Sequence, residues 1–359
     1  MTPAGDARRR NLARFLLVGL LLVVPAIVVN AGTVEAVLRR HGNQIDFTGY
    51  YYAAVRLLHG ISPYRELPFK TTNVPEFAYP AFGSLVFVPL GWMGLYAASY
   101  LYLLSSVVSA VLALWLLRVR DWRVYVAVSV WEPFWMGWTG GNVSIQFTLL
   151  LAAVWRWRDS PLIAGIITAL AISIKPYAWP VLLFLLATRR WRASVWTLAW
   201  AVTLSLLGWL VVGPAQATAY LRVTHQLTHR LWSKTYGVLG MAHQLGFTRM
   251  EAGALWLTLA VLIALGILAA GRRGSDQAAL ALSVALLLEA SPVTWTHYFV
   301  MLLVPLAVCR QTLWSGWFIP VLMWCCPVGY PHNAWQPLLI WAICAAALVM
   351  SVCQLRVGD

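Results

Sequence analysis

Apolar runs that approach the width of a bilayer recur along all of this 359-residue chain, and no other feature restricts its folds so severely. In lipid every backbone N–H and C=O must find its partner within the chain, and a helix needs about 20 apolar residues to cross. Runs bounded by charges or by Pro and Gly fall near residues 13–30, 95–117, 122–138, 143–156, 161–174, 177–188, 194–213, 252–270, 277–290, 297–309, 315–329 and 335–353. They predict an all-α polytopic membrane protein with about 12 transmembrane helices (11–13). A soluble α/β enzyme is excluded, because 61% of the residues are hydrophobic and only 11% charged, too few to cover a water-exposed fold. Arg8, Arg9, Arg10 and Arg14 precede the run Phe15 to Val29, and no small-residue cleavage site follows in a polar context. That run is expected to be retained as the first span.

The formal charge of +14 does not point to nucleic acid, because the basic residues sit at the ends of apolar runs, where topology explains them. With alternating loops and the N-terminus inside, sixteen of the 26 basic residues fall on the cytoplasmic side, among them Arg118, Arg120, Arg123, Arg189, Arg190, Arg192, Arg272 and Arg273. The expectation is one integral-membrane domain over residues 1–359. It comprises a first span (13–30), an outer loop with juxtamembrane helices (31–94), catalytic-core spans (95–213), a second outer loop (214–251) and C-terminal spans (252–353). Such a chain is multi-pass in the cytoplasmic (inner) membrane, with both termini cytoplasmic and its active side outward. The stretch Ala81 to Trp92 is apolar enough to cross, but counting it would put most arginine clusters outside; it reads instead as a juxtamembrane or re-entrant helix. The cysteines Cys309, Cys325, Cys326, Cys344 and Cys353 lie in late apolar segments without metal-ligand spacing and read as buried small hydrophobes.

Polar residues gather at the outer ends of the spans: Asn142 in "TGGNVSIQF", Lys175 in "SIKPY", Glu289 and His297 in "LEASPVTWTHY". Ionisable groups near hydrocarbon are costly and mark cavities and function. Each has a plainer reading beside the functional one. Lys175 could snorkel to headgroups, Asn142 could serve a turn after Gly140 and Gly141, Glu289 could be a protonated core residue, and His297 could merely pack. The stretch "DFTGYYYAAVRLLHGISPY" opens the first outer loop with Asp46. Its spacing fits an amphipathic helix lying on the membrane, ended by Gly60. Asp46 is then either an N-cap accepting from backbone donors at Thr48 or Gly49, or a general base with Tyr50 one turn away and Tyr51 beside it.

Together these motifs resemble the integral-membrane glycosyltransferases of the C superfamily, most closely glycosyltransferase family 87. The resemblance rests on Asp46 to Tyr64, on "YPAFGSLVFVPL" with Ala81 in place of a second proline, and on "GGNVS" with Gly141 where glutamine is usual. "IKPY" and "SPVTWTHY" complete it, with Tyr298 replacing a second histidine. It implies a GT-C-type architecture and an inverting transfer of a hexose, with mannose expected, from a polyprenyl-phosphate donor to a hydroxyl of a glycolipid or glycan at the outer face. An alternative is arabinofuranosyl transfer from the same kind of donor.

An inverting transfer needs one base and a set of groups to hold the leaving phosphate, whereas hydrolases flank the scissile bond with two carboxylates. Asp46 is the expected base. Lys175, His297, Arg222 and Arg230 are expected at the donor phosphate, and Tyr50, Tyr51, Asn142, Trp295 and Glu289 in the substrate pocket. No Asp-x-Asp or His/Asp cluster with ligand spacing appears, so neither metal nor cofactor is expected. The partners are the lipid-linked donor, the acceptor and membrane lipids. A lipid-linked sugar transporter or flippase is the rival from another class, but such proteins commonly show paired internal repeats and broken midplane helices, and no repeat is found here.

Overall fold

The computed structural model describes residues 23–39, 44–64, 76–326 and 329–353. The N-terminal arginines, residues 13–22 of the expected first span, Glu66 and Arg356 lie outside this set. Among the described residues there are helices and no strands. In chain order the α-helices are α1 (Val24–Arg39), α2 (Ile45–Leu58), α3 (Ala81–Gly91), α4 (Leu95–Leu116), α5 (Trp122–Ser129), α6 (Glu132–Gly140), α7 (Ser144–Arg156), α8 (Pro161–Ile174), α9 (Pro180–Ala187) and α10 (Trp191–Val212). Then follow α11 (Ala217–Leu231), α12 (Val238–Gln244), α13 (Arg249–Arg272), α14 (Asp276–Ala290), α15 (Leu303–Cys309) and α16 (Trp335–Cys353). Tight 3-10 turns fill Pro176–Ala178, Thr296–Leu302 and Ser315–Cys325.

Four of these segments, Leu95–Leu116, Trp191–Val212, Arg249–Arg272 and Trp335–Val352, are long and apolar enough to cross a bilayer. Other apolar helices are shorter than the expected spans, and local sequence explains why. The run 122–138 breaks between α5 and α6, where Val130 and Trp131 leave the helix and Pro133 takes an early position in the next one. Within the run 315–329, Ser315–Cys325 is wound as a 3-10 helix with Pro320 inside it. Start signals are conventional where they occur. Asp121 caps α5, and Thr248 forms a capping box with Glu251 at the head of α13. Glu251, one of the outer acids in the sequence, is thus committed to a helix end.

Loops assigned to one side by their arginines do meet one another. Arg190 Nη2 lies 2.7 Å from both Asp159 Oδ1 and Asp276 Oδ2, and Arg158 Nε is 3.4 Å from Asp276 Oδ2. The loop at 118–121 joins that at 310–314 where the Leu313 N–H donates to Asp121 Oδ2 at 2.9 Å. Because both feet of α8 and α9 stand in the first of these clusters, the pair forms a hairpin. The 14 residues of α8 rise about 21 Å, short of the roughly 30 Å hydrocarbon core. Lys175 sits at the hairpin's tip, where α8 stops and Pro176 starts the 3-10 turn.

The hairpin is braced by α10. A Cβ on Gly165 would lie 2.4 Å from Trp196 Cβ, so only glycine lets α8 and α10 approach this closely. At the far end of α10, Gly208 touches the start of α3, and Gly83 of α3 stands beside the Ile174 carbonyl at the hairpin tip. At its other end α3 meets α2, where Gly91 lies against Ala54 and Leu58, and passes directly into α4. With 11 residues and Pro89 inside it, α3 spans about 17 Å. It has the dimensions of the re-entrant or juxtamembrane helix expected for this stretch.

Helix α2 departs from the sequence expectation. It does not lie on a surface; Phe47, Thr48, Gly49, Tyr50, Tyr51, Ala53 and Ala54 are all buried. The aromatic side chains on successive faces find different partners: Phe47 stacks on Tyr102 of α4, and the Tyr51 hydroxyl donates to the Met93 carbonyl in the turn between α3 and α4.

Candidate functional site

Gln44 occupies the N-cap of α2 without a side-chain capping bond, and Asp46 lies inside the first turn. The capping reading of Asp46 therefore fails. Its Oδ2 instead accepts from Asn142 Nδ2 at 2.8 Å, and among the described residues Oδ1 has no hydrogen-bond partner. The side chain as a whole is about 30% exposed. Burial of its surroundings raises the carboxyl above the ordinary aspartate range, while the Asn142 bond and the positive charge of Lys175 pull it back.

Asn142 reaches Asp46 because the chain reverses at Gly141, whose φ of +68° is the left-handed conformation that ends α6. A Cβ there would lie 2.6 Å from Phe47 Cβ and 2.7 Å from Gln44 Oε1, so the turn also sets how closely α2 sits on α6. The Asn142 side chain is oriented from behind. Its Oδ1 accepts from the Ser144 N–H at 3.0 Å and the Ser144 hydroxyl at 2.6 Å, which leaves Nδ2 to face Asp46 and, at 3.5 Å, the Tyr50 hydroxyl. Tyr50 in turn shares a hydrogen bond of 2.7 Å with Tyr79.

His297 enters from the 3-10 segment Thr296–Leu302, with Nε2 4.0 Å from Asp46 Oδ2. That nitrogen is buried and has no hydrogen-bond partner among the described residues. Lys175 is wholly enclosed at the hairpin tip. Its ammonium stands 4.5, 5.0, 5.1 and 5.9 Å from the ring centres of Tyr298, Tyr79, Tyr177 and Phe147, and 3.4 Å from the Tyr298 hydroxyl. Snorkelling is thus not its role, because aromatic faces and a nearby carboxylate hold the cation in place.

The remaining expected residues sit elsewhere. Tyr51 serves the joint with α3 and α4 described above. Glu289 is buried with neither carboxylate oxygen hydrogen-bonded, while its backbone carbonyl accepts from Trp256. Trp295 meets Tyr330 edge-on at 5.3 Å. Arg222 and Arg230 lie exposed on α11, Arg230 paired with Glu76 at 3.3 Å, and no contact joins either to the Asp46 group. Among the described residues no group of three or more His, Cys, Asp or Glu side chains is placed to share a metal ion.

One participant was not among the expected residues. Glu132, fully buried at the head of α6, accepts from the Thr296 hydroxyl at 2.6 Å, and its other oxygen has no partner. An acid followed by proline inside an apolar run, "VWEPFW", carried the signal, since such acids are rarely idle. Tyr79 and Tyr298, both within recognised motifs, gain a definite position as walls of the lysine cage.

The family model described as glycosyltransferase family 87 matches residues 77–294. That range holds Tyr79, Asn142 and Lys175 and stops just short of His297. A polyprenol-phosphate-mannose-dependent alpha-(1-2)-phosphatidylinositol mannoside mannosyltransferase of Mycolicibacterium smegmatis is 26% identical, over 74% of this chain and 68% of its own. Its counterpart of the same name from Mycobacterium tuberculosis is 25% identical, over 64% and 61%. An alpha-(1->3)-arabinofuranosyltransferase of Corynebacterium glutamicum is 25% identical, over 46% and 42%. The chain therefore spans between about two fifths and two thirds of the length of these relatives. No solved structure matches it.

Proposed function

Since this chain belongs to glycosyltransferase family 87, we propose that it transfers a hexose, mannose in the first instance, from a polyprenyl-phosphate donor to a hydroxyl of a glycolipid or glycan. The reaction takes place at the outer face of the cytoplasmic membrane, in a GT-C-type fold of about twelve crossings. The donor class is supported by the names of the mannosyltransferase relatives. Sidedness is supported by the arginine distribution and by the meeting of the arginine-bearing loops at the end of the molecule away from Asp46.

The observation that carries the mechanism is the convergence of one partly exposed carboxylate with a buried histidine and a fixed ammonium. Asp46 takes the acceptor proton as the acceptor oxygen attacks the anomeric carbon. The bond from that carbon to the phosphate oxygen breaks, its electron pair stays on the phosphate, and configuration inverts. His297 Nε2, unpartnered among the described residues, donates to the departing phosphate. Lys175 acts through its field and through the Tyr298 hydroxyl rather than by direct contact, because it is enclosed. Both offset charge that grows as the bond breaks, which is where such groups accelerate a reaction. Transfer is expected to survive excess chelator.

The test is purified protein in lipid discs with labelled polyprenyl-phosphate mannose and a glycolipid extract, beside Asp46→Asn. Wild type should form labelled glycolipid, and the variant should fold, bind donor and turn over at least about a hundredfold more slowly. Equal rates would end the role of Asp46. The arabinofuranosyltransferase relatives favour one second reading, and polyprenyl-phosphate arabinose in a parallel reaction distinguishes it.

A further inference from the structure

At the feet of the hairpin, away from Lys175 and Asp46, the structure has an open recess of about 430 Å³ lined by Arg158, Asp159, Arg189, Arg190, Trp191 and Arg192, among others. Its arginines do two different jobs. Arg190 has a side chain only 16% exposed and is held by Asp159 and Asp276, and Arg158 is held by Asp276 and lies 4.1 Å over the Trp155 ring. These form a fixed floor. The Arg189 and Arg192 side chains are exposed, and among the described residues neither guanidinium has a hydrogen-bond or ion-pair partner. Four guanidinium groups face two carboxylates, so the recess carries excess positive charge and two free bidentate donors.

We propose that this recess binds the phosphate-bearing headgroup of an anionic membrane lipid. Guanidinium forks match phosphate oxygens in pairs, and basic pockets at the ends of membrane helices recognise such headgroups. The apolar surroundings favour a lipid over a free anion. Leu162 and Ile163 on α8 and Val195, Leu198, Val202 and Leu206 on α10 run away from the recess with 43 to 64% of each residue exposed. They provide a path for acyl chains directly above the charged floor, with Trp191, 60% exposed, at the boundary where indole rings prefer to lie. A bound lipid would join the loop before α8 to the loop before α10 and so brace both feet of the hairpin. The site is separate from the proposed transfer chemistry and does not depend on it.

Arg189 supplies a discriminating variant. It occupies the left-handed position that ends α9, with φ +60°, where its N–H donates to the Leu186 carbonyl and the Arg190 N–H to the Leu185 carbonyl. Glycine is the residue that conformation prefers, so Arg189→Gly removes a guanidinium while easing the backbone. Full-length protein in detergent is titrated with phosphatidylglycerol, with phosphatidylcholine of the same acyl chains, or with inorganic phosphate, and followed by thermal unfolding and native mass spectrometry. Phosphatidylglycerol should bind at least tenfold more tightly than phosphatidylcholine and raise Tm. Arg189→Gly combined with Arg192→Gln should lose that preference, while Arg189→Gly alone raises Tm in phosphatidylcholine. Arg272→Gln with Arg273→Gln, a pair outside the recess, should keep it. Equal binding of the two lipids, or an unchanged preference in the Arg189/Arg192 variant, overturns the proposal. So does stabilisation by inorganic phosphate alone equal to that by phosphatidylglycerol, which would mark a free-anion site.

Discussion

Asp46 is pulled in opposite directions by its neighbours, and the balance is measurable. A carboxylate base works ionised, so turnover should rise with pH through its pKa; burial places that limb above the ordinary aspartate range. Asn142 bonds to the ionised form, so Asn142→Ala should shift the limb to still higher pH and lower the plateau roughly tenfold. A pH–rate profile with an unmoved limb would show that the limb belongs to another group. Glu132 is proposed to act one step further back by holding Thr296 and hence the backbone next to His297. Thr296→Val should lower kcat more than it changes KM and cost about 1 kcal/mol of stability, with Thr296→Ser restoring kcat; loss of stability without a change in kcat would make the bond purely structural. Residue types near the site were legible in the sequence, Asp46 and Asn142 most clearly. Their partners were not, because a hydrogen bond across 96 positions leaves no periodicity in either segment.

Helices α2 and α6 owe their spacing to a single missing side chain. Gly141→Ala would place a methyl group against Phe47 and Gln44 in a backbone conformation that alanine disfavours. It should cost about 1–3 kcal/mol and reduce transfer further by parting Asn142 from Asp46; crosslinking or thermal unfolding beside activity would separate the two effects, and wild-type behaviour in both would refute the role. At this scale the sequence spoke for α4, α10, α13 and α16, where long apolar runs end at charges. It misled for α2, whose spacing looked amphipathic, because tyrosines present both an apolar ring and a hydroxyl and can be buried on several faces at once. It also merged α5 with α6, since apolar content alone does not reveal that Trp131 leaves the helix.

The molecule as a whole has two chemically different ends: carboxylate, amide, imidazole and caged ammonium at one, guanidinium and carboxylate networks at the other. In a background without native cysteines, single cysteines at Arg156 and Arg273 should resist membrane-impermeant thiol reagents in intact cells, and one at Ser62 should react. The reverse pattern would invert the proposed orientation. The arginine distribution made this grouping of loops readable in advance, whereas the hairpin's depth needed the ion pairs that bring both its feet together. Synthesis meets the same hairpin as a problem of order. Neither α8, with 14 residues, nor α9, with eight, has the length to partition into lipid alone, so on the proposed topology their insertion would depend on α10, with 22. On that topology Lys175 would enter the bilayer with an unfinished shelter, because Tyr298, the ring closest to its ammonium, is translated 123 residues later. Maturation of the site is in this way tied to the emergence of a late segment of the chain.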